Sequence, residues 1–108
     1  MIEFSKYHGA GNDFIIIDDR THQFDTEDQQ KIEHLCDRRF GIGADGLMLL
    51  RKIDGFDFEM VYFNSDGLTS SMCGNGGRCI AAFAHSLGLT KMQVNFQAID
   101  GAHRAEII

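Results

Sequence analysis

The 108-residue sequence has no proline and only three cysteines. Without proline, its turns must be made by glycine, asparagine and aspartate, and twelve glycines are present. An odd, widely spaced set of cysteines does not form the disulfide framework of a small secreted domain, so we expect reduced thiols. No apolar run is long enough to cross a bilayer, and the N-terminus lacks the basic and hydrophobic regions of a secretion signal. These absences predict a cytoplasmic protein with no membrane partner.

Basic residues are also scarce and scattered. Ten of them stand against sixteen acidic residues, which gives a formal net charge of −6. A nucleic-acid-binding domain presents a clustered basic face, so we expect no nucleic-acid partner. Apolar residues are abundant instead, with 44% hydrophobic content and nine phenylalanines. This content can fill one core, and residues 1–108 are therefore predicted to form a single domain.

The hydrophobic pattern predicts seven strands and two helices in the order ββαβββαββ. The strands are expected over residues 2–7, 13–18, 47–52, 58–64, 68–72, 92–99 and 103–108. The helices are expected over residues 26–39, opened by a capping box at Thr26 and Gln29, and over residues 78–87. The first two strands should pair with each other, as should the last two. This order favours an α+β domain and argues against alternating βαβ units.

The segment MCGNGGRC, residues 72–79, places the thiol of Cys73 just before the second predicted helix. Unpaired N–H groups and the positive end of the helix dipole lower the pKa of a thiol at such a position. The glycine-rich turn that includes Gly74 and Asn75 can also bind a carboxylate or a phosphate. The competing interpretation is a buried cysteine without chemistry, since free cysteines usually pack as small hydrophobic residues. The residues alone leave Cys73 open as a nucleophile, a redox centre or a proton carrier.

The other two cysteines are expected to pack. Cys36 and Cys79 fall within predicted helices, where a thiol behaves as a small apolar group. Cys73 and Cys79 lack the further cysteines or well-spaced histidines of a zinc site, so we expect no metal. The glycine-rich segment also lacks the Walker lysine and the dinucleotide-binding spacing. No cofactor is expected.

Three further polar, glycine-rich clusters occur along the chain. They are HGAGNDF at residues 8–14, RRFGIGADG at residues 38–46 and FNSDG at residues 63–67. Each cluster alone is typical of a turn or a helix C-cap. Asn12 and Asn64, however, carry amides that both donate and accept hydrogen bonds, which suits a ligand with ammonium and carboxylate groups. Three such clusters beside a candidate thiolate favour a binding site.

Four motifs together resemble the N-terminal half of the diaminopimelate epimerases in order and spacing. They are KYHGAGNDF at residues 6–14, RRFGIGADG at 38–46, YFNSDG at 62–67 and MCGNGGRC at 72–79. The resemblance implies a cofactor-independent enzyme that interconverts LL- and meso-2,6-diaminoheptanedioate (diaminopimelate) in cytoplasmic lysine and peptidoglycan precursor synthesis. It also implies a β-barrel-like sheet wrapped around a central helix, the first of two pseudo-symmetric domains. Family chains carry the other catalytic cysteine on the second domain, so residues 1–108 alone are expected to be inactive. Family members are often homodimers, which implies a second copy as a partner.

The same resemblance assigns roles to individual residues. Cys73 would give or take the α-proton of the substrate, because epimerisation without a cofactor needs an acid and a base on opposite faces. Gly74 and Asn75 would bind the reacting α-carboxylate through backbone amides, and Asn12 and Asn64 would contact the distal end. Many relatives have glutamine in place of Gly46, so any contact there must come from the backbone.

Two other functions stay open at this point. A racemase of another amino acid is one, although proline racemases usually carry histidine where this chain has Asn75. A non-catalytic domain that keeps the fold and the anion site is the other.

Overall fold

The computed structural model describes residues 4–9, 11–70, 74–89 and 93–106. These residues form six strands and two helices. In chain order they are β1 Ser5–His8, β2 Asp13–Asp18, α1 Gln29–Cys36, β3 Gly46–Arg51, β4 Phe58–Asn64, α2 Gly74–Ser86, β5 Gln93–Ala98 and β6 Gly101–Glu106. The predicted bounds of β2 and β4 are confirmed. In the strand expected over residues 68–72, Thr69 makes only an isolated bridge with Phe63, and residues 71 and 72 lie outside the described residues.

The six strands form one mixed sheet in chain order, from β1 to β6. The pairs β1–β2, β3–β4 and β5–β6 are antiparallel, which confirms the expected pairing of the first two strands and of the last two. The pairs β2–β3 and β4–β5 are parallel, and each is connected through a helix. The sequence argued against alternating βαβ units, and the sheet contains two such units, separated by the antiparallel β3–β4 pair. Periodicity identifies the elements, but it does not give the direction in which neighbouring strands run.

The sheet is open, with β1 and β6 at its edges. The closed, barrel-like form implied by the resemblance is therefore not present among the described strands. A helix does pack centrally, because α2 contacts β2, β3 and β6. The class is α+β, with the sheet lying between the two helices.

Two hydrophobic clusters lie on opposite faces of the sheet. Since successive residues of a strand point to opposite faces, a strand buried on both sides can serve both clusters. In β2, Phe14 and Ile16 pack with α2, whereas Ile15 and Ile17 pack with α1. The same alternation in β3 places Met48 and Leu50 on the α2 face and Leu47 and Leu49 on the α1 face.

The first helix differs from its prediction at both ends. Its N-cap is Asp28, whose side chain accepts a hydrogen bond from the Lys31 backbone N–H at 3.1 Å. Aspartate is as strong an N-cap as the Thr26 that the capping box favoured. The helix ends at Cys36, because Asp37 adopts an extended backbone conformation.

Candidate functional site

Polar residues lie together at one end of three neighbouring strands in the middle of the sheet. The strands β2 and β3 are parallel and both begin there, whereas β4 is antiparallel to β3 and ends there. The register places Phe14 beside Gly46, and Gly46 beside Asn64. Asn12 precedes β2 at the same end. We call this border of the sheet, formed by strand ends and marked by Asn12, Gly46 and Asn64, the asparagine edge.

The second helix also starts on this side of the sheet. Leu89, just beyond the end of α2, lines a cavity with Leu50 and Arg51 at the far end of β3, so α2 runs away from the asparagine edge. The helix begins at Gly74, which follows Cys73 in the sequence. Cys73 itself lies outside the described residues.

The start of α2 corrects the sequence-based prediction. The helix was expected to begin at Arg78, after a glycine-rich turn, but Gly74 and Asn75 already form its first turn. Glycine disfavours a helix by about 1 kcal/mol relative to alanine, which packing can outweigh, and Gly76 and Gly77 are buried. Within the helix, the amides of Gly74 and Asn75 have no carbonyl four residues earlier to bind. The anion site stays a prediction, and its two residues lie in the first turn of the helix instead of in a preceding turn.

A cluster of charged side chains, next to Asn12, joins the starts of β2 and β3. The Asp13 backbone N–H donates to Asp45 Oδ2 at 3.1 Å, and the Asp45 backbone N–H donates to Asp13 Oδ1 at 3.1 Å. Arg38 donates to both oxygens of Asp13, at 2.7 and 3.1 Å, and to Asp45 Oδ1 at 3.1 Å. The Lys6 ammonium lies 3.0 Å from Asp13 Oδ2. We call Lys6, Asp13, Arg38 and Asp45 the charged cluster.

Asp13 and Arg38 hold each other in the ionised form over the ordinary pH range. The Arg38 guanidinium, helped by Lys6, holds the pKa of the buried Asp13 carboxyl well below its usual range, although burial raises it. Asp13 in turn raises the pKa of Arg38. Asn12 is attached to the cluster, because its Nδ2 donates to Asp45 Oδ2 at 3.3 Å. The cluster thus helps to position one of the two asparagines.

An open cavity of about 370 Å³ lies at this position. It is lined by His8, Gly9, Gly11, Asn12, Asp13, Arg38 and Asp45. Another cavity of about 370 Å³ lies along β4 and the end of β5, but none of the predicted site residues lines it. The cavity lined by Asn12 is therefore the better candidate for a ligand-binding site.

Asn64 is held by the turn that follows β4. Its backbone N–H donates to Leu68 O at 2.9 Å, and its carbonyl accepts from Gly67 N–H at 2.9 Å. Gly67 has a φ of +84°, and a Cβ there would lie 2.5 Å from Gln29 O. The turn thus requires glycine, and it is tied to α1 by a hydrogen bond from Gln29 Nε2 to Asp66 O at 3.0 Å.

The expectation that Cys36 and Cys79 are packing residues is confirmed. Their exposed fractions are 3% and 5%, and they belong to the α1 and α2 clusters respectively. Burial, together with the Asp13 carboxylate, raises the pKa of the Cys36 thiol to about 11. Both thiols are therefore shielded from solvent.

The charged cluster was missed from the sequence. Asp13, Arg38 and Asp45 all lie within motifs that were interpreted through their glycines and asparagines. The two aspartates and the arginine in those motifs were the signal that could have identified the cluster.

Among the described residues, no group of three or more His, Cys, Asp or Glu side chains could hold a metal ion, and no helix is long and apolar enough to cross a membrane.

Comparisons with known proteins point to one family. The family model described as diaminopimelate epimerase matches residues 4–107. The chain is 58% identical over 102 residues to the diaminopimelate epimerase of Flavobacterium psychrophilum, covering 94% of this chain and 40% of that protein. It is 46% identical over 93 residues to the diaminopimelate epimerase of Clostridium perfringens, covering 86% of this chain and 34% of that protein. The chain thus spans about two fifths or less of these relatives' length.

Solved structures share the fold. A Bacillus anthracis phenazine biosynthesis protein of the PhzF family superimposes with a TM-score of 0.71 at 18% identity, over 99% of this chain and 35% of that one. A methylitaconate-delta-isomerase gives a TM-score of 0.71 at 13% identity, with the same coverage of 99% and 35%. At such identities the likeness concerns the fold alone.

Proposed function

Because the chain belongs to the diaminopimelate epimerase family, we propose that it is the Cys73-bearing domain of an enzyme that interconverts LL- and meso-diaminopimelate. The observation that carries the proposal is that Asn12, just before β2, and Asn64, at the end of β4, lie at the same end of the sheet, and that α2, which follows Cys73 in the sequence, runs away from that end. An amino acid held there would have a thiol, helix amides and two side-chain amides around it. The enzyme would serve lysine and peptidoglycan precursor synthesis in the cytoplasm, where thiols stay reduced.

The proposed reaction removes and replaces the proton on the α-carbon of the substrate. Without a cofactor, a base must remove the proton on one face while an acid delivers another on the opposite face. A thiolate next to a helix N-terminus is stabilised by the dipole, which suits Cys73 to one of these roles. The amides of Gly74 and Asn75 would bind the α-carboxylate and stabilise the negative charge that develops on it.

The asparagine edge would bind the distal end of the substrate. That end carries an ammonium and a carboxylate, and side-chain amides can accept from the first and donate to the second. The charged cluster supports this role, since Asp45 accepts a hydrogen bond from Asn12 and Arg38 binds Asp45. A positioned amide loses less entropy on binding than a mobile one.

Neither of the other two cysteines suits the role of the second acid or base. Cys36 and Cys79 are buried, and a thiol with a pKa of about 11, as in Cys36, is a poor proton donor or acceptor near neutral pH. We therefore propose that residues 1–108 form the first of two pseudo-symmetric domains, with the partner cysteine on the second. Homodimer formation is part of the same proposal, and sedimentation equilibrium of the complete enzyme tests it.

The test uses a chimera in which residues 1–108 replace the matching region of the Flavobacterium psychrophilum relative. In D2O, the chimera should introduce deuterium at the α-carbon of LL-diaminopimelate, and Cys73→Ala should reduce this exchange at least 100-fold, by about the contribution of an acid–base group. Cys36→Ala serves as the matched control and should keep the exchange rate. A folded chimera without exchange would overturn the proposed activity.

Two further arms of the experiment separate the alternatives. Residues 1–108 alone should show no exchange, and appreciable deuteration by them would refute the need for a second domain. Proline and lysine are supplied in parallel as substrates. Faster exchange of either one than of diaminopimelate would make the enzyme a racemase of another amino acid.

A further inference from the structure

Gly46 and Tyr62 make a close contact at the asparagine edge that the roles above do not use. A Cβ built on Gly46 would lie 2.7 Å from the Tyr62 hydroxyl oxygen and 3.0 Å from Cζ of the same ring. Real Cβ atoms do not approach an oxygen so closely, so the phenol tip occupies the space that a side chain at position 46 would need. Glycine at this position is what admits the hydroxyl.

The tyrosine ring leans toward the asparagine edge. In the β3–β4 register, Tyr62 lies opposite Met48, yet its hydroxyl reaches Gly46, which is two residues closer to the edge. The ring also packs edge to face against Phe14 of β2, with 6.0 Å between the ring centroids. The hydroxyl therefore lies above β3, between β2, which follows Asn12, and β4, which ends at Asn64.

The hydroxyl is also on the face of the sheet that carries α2. Tyr62 packs against the α2 cluster, and alternation places Asn64 on the same face of β4. The residue is half-buried and lines the cavity along β4, so part of its side chain is open to solvent. A phenol hydroxyl donates a hydrogen bond to a carboxylate.

We propose that Tyr62 determines substrate specificity by donating a hydrogen bond from its hydroxyl to the distal carboxylate of the substrate. Gly46 makes this possible by leaving room for the hydroxyl. The inference rests on the proposed function and deepens it, because it assigns recognition of the carboxylate that distinguishes diaminopimelate from lysine.

The experiment compares Tyr62→Phe with Tyr7→Phe in the chimera. Both changes remove one hydroxyl, and residues 1–108 contain only these two tyrosines, of which Tyr7 packs on Phe83 of α2. Tyr62→Phe should raise the KM for LL-diaminopimelate about 5- to 10-fold, the loss of one hydrogen bond, with kcat within about 2-fold. The inhibition constant of lysine, which has no distal carboxylate, should stay unchanged. Tyr7→Phe should change neither constant.

Each contrary result identifies what has failed. An unchanged KM in Tyr62→Phe would overturn the inference and leave the proposed function in place. An equal rise in the inhibition constant of lysine would also overturn it, because the hydroxyl would then not be recognising the carboxylate. Parallel losses of kcat and melting temperature would show a structural role only, and would overturn it as well. A chimera with no exchange before any substitution would remove the proposed function and this inference together.

Discussion

Asp13 connects three separate segments of the chain within the charged cluster. It accepts hydrogen bonds from Arg38 after α1 and from the Asp45 backbone at the start of β3, and it pairs with Lys6 in β1. The side chain is 11% exposed, so these partners replace water around its charge. Removing that charge leaves Arg38 without its bidentate partner, which is the more costly kind of change.

We therefore expect Asp13→Asn to lower the free energy of unfolding by about 2 kcal/mol at pH 7. The folded-state pKa of Asp13 lies below its unfolded value near 4, so its stabilisation is present above about pH 4 and is lost as the pH falls further. Urea titrations between pH 2 and 7 should show a shallower acid-side slope in the variant. Asp18→Asn is the control, since the exposed Asp18–Arg20 pair should contribute less than about 1 kcal/mol. An acid-side slope that is the same in Asp13→Asn and the unsubstituted protein would contradict this account.

Gly46 gives a second prediction at the scale of single residues. Gly46→Ala should lower the free energy of unfolding by about 1–3 kcal/mol, the usual range for overpacking, because the new Cβ would meet the Tyr62 hydroxyl and, at 2.9 Å, the Phe63 carbonyl oxygen. Thermal unfolding of the chimera measures the loss. In Gly55→Ala the Cβ meets nothing within 4 Å but the φ is +88°, so this control measures backbone strain alone. A Gly46→Ala variant as stable as the unsubstituted protein would show that the space is not limiting.

Individual site residues could be named from the sequence, but their neighbours could not. Asn12 and Asn64 were identified by residue type, whereas their shared edge depends on the β2–β3–β4 register. The bond from Arg38 to Asp13 spans 25 residues of sequence, and no local pattern encodes such a contact. The Gly46–Tyr62 contact likewise depends on the register and on one rotamer.

At the scale of elements, strands were predicted more accurately than helices and connections. The strands β2 and β4 have strong apolar patterns and distinct turn residues at their ends, and their predicted bounds are confirmed. The helix α2 starts before its expected position because its glycines were interpreted as a turn. Whether neighbouring strands are parallel depends on contacts between distant segments, so the two βαβ units could not be foreseen.

The placement of the two helices predicts which thiol reacts. Cys36 and Cys79 are buried in helices on opposite faces of the sheet, whereas Cys73 precedes the first turn of α2. In the native chain, iodoacetamide should modify Cys73 at least 10-fold faster than either of the others, because a reactive thiol must be both accessible and ionised. Peptide mass spectrometry after short exposures measures the three rates. Unfolding in urea is the control and should bring the rates close together. Equal rates in the native protein would contradict the proposal that the N-terminus of α2 stabilises the Cys73 thiolate.

At the scale of the whole molecule, the family could be inferred from the sequence but the shape of the sheet could not. The four motifs suffice for the resemblance, which the match over residues 4–107 confirms. The barrel-like sheet implied by the resemblance is open among the described strands, because closure depends on pairing between the two edge strands, and β1 and β6 remain the edges. An open sheet with its polar residues at one edge suits a domain that covers one side of a ligand.

A ligand covered from one side only should react differently from one that is enclosed. An aziridine analogue of diaminopimelate carries an electrophilic ring methylene next to its α-carbon, and a thiolate held in line with that methylene opens the ring, with the ring nitrogen as leaving group. We expect stoichiometric alkylation of Cys73 in the chimera and none in residues 1–108 at the same concentration. Iodoacetamide, which needs no binding site, should modify Cys73 in both and so controls for thiol reactivity.

The same experiment separates an enzyme from a binding domain. Diaminopimelate added in excess should protect Cys73 of the chimera from the aziridine, because both compete for one site. A chimera that binds diaminopimelate by calorimetry but leaves Cys73 unalkylated would be a binding protein without the proposed chemistry. Alkylation of residues 1–108 alone would instead show that this domain orients the ligand by itself. In that case the second domain would be needed only for its acid or base.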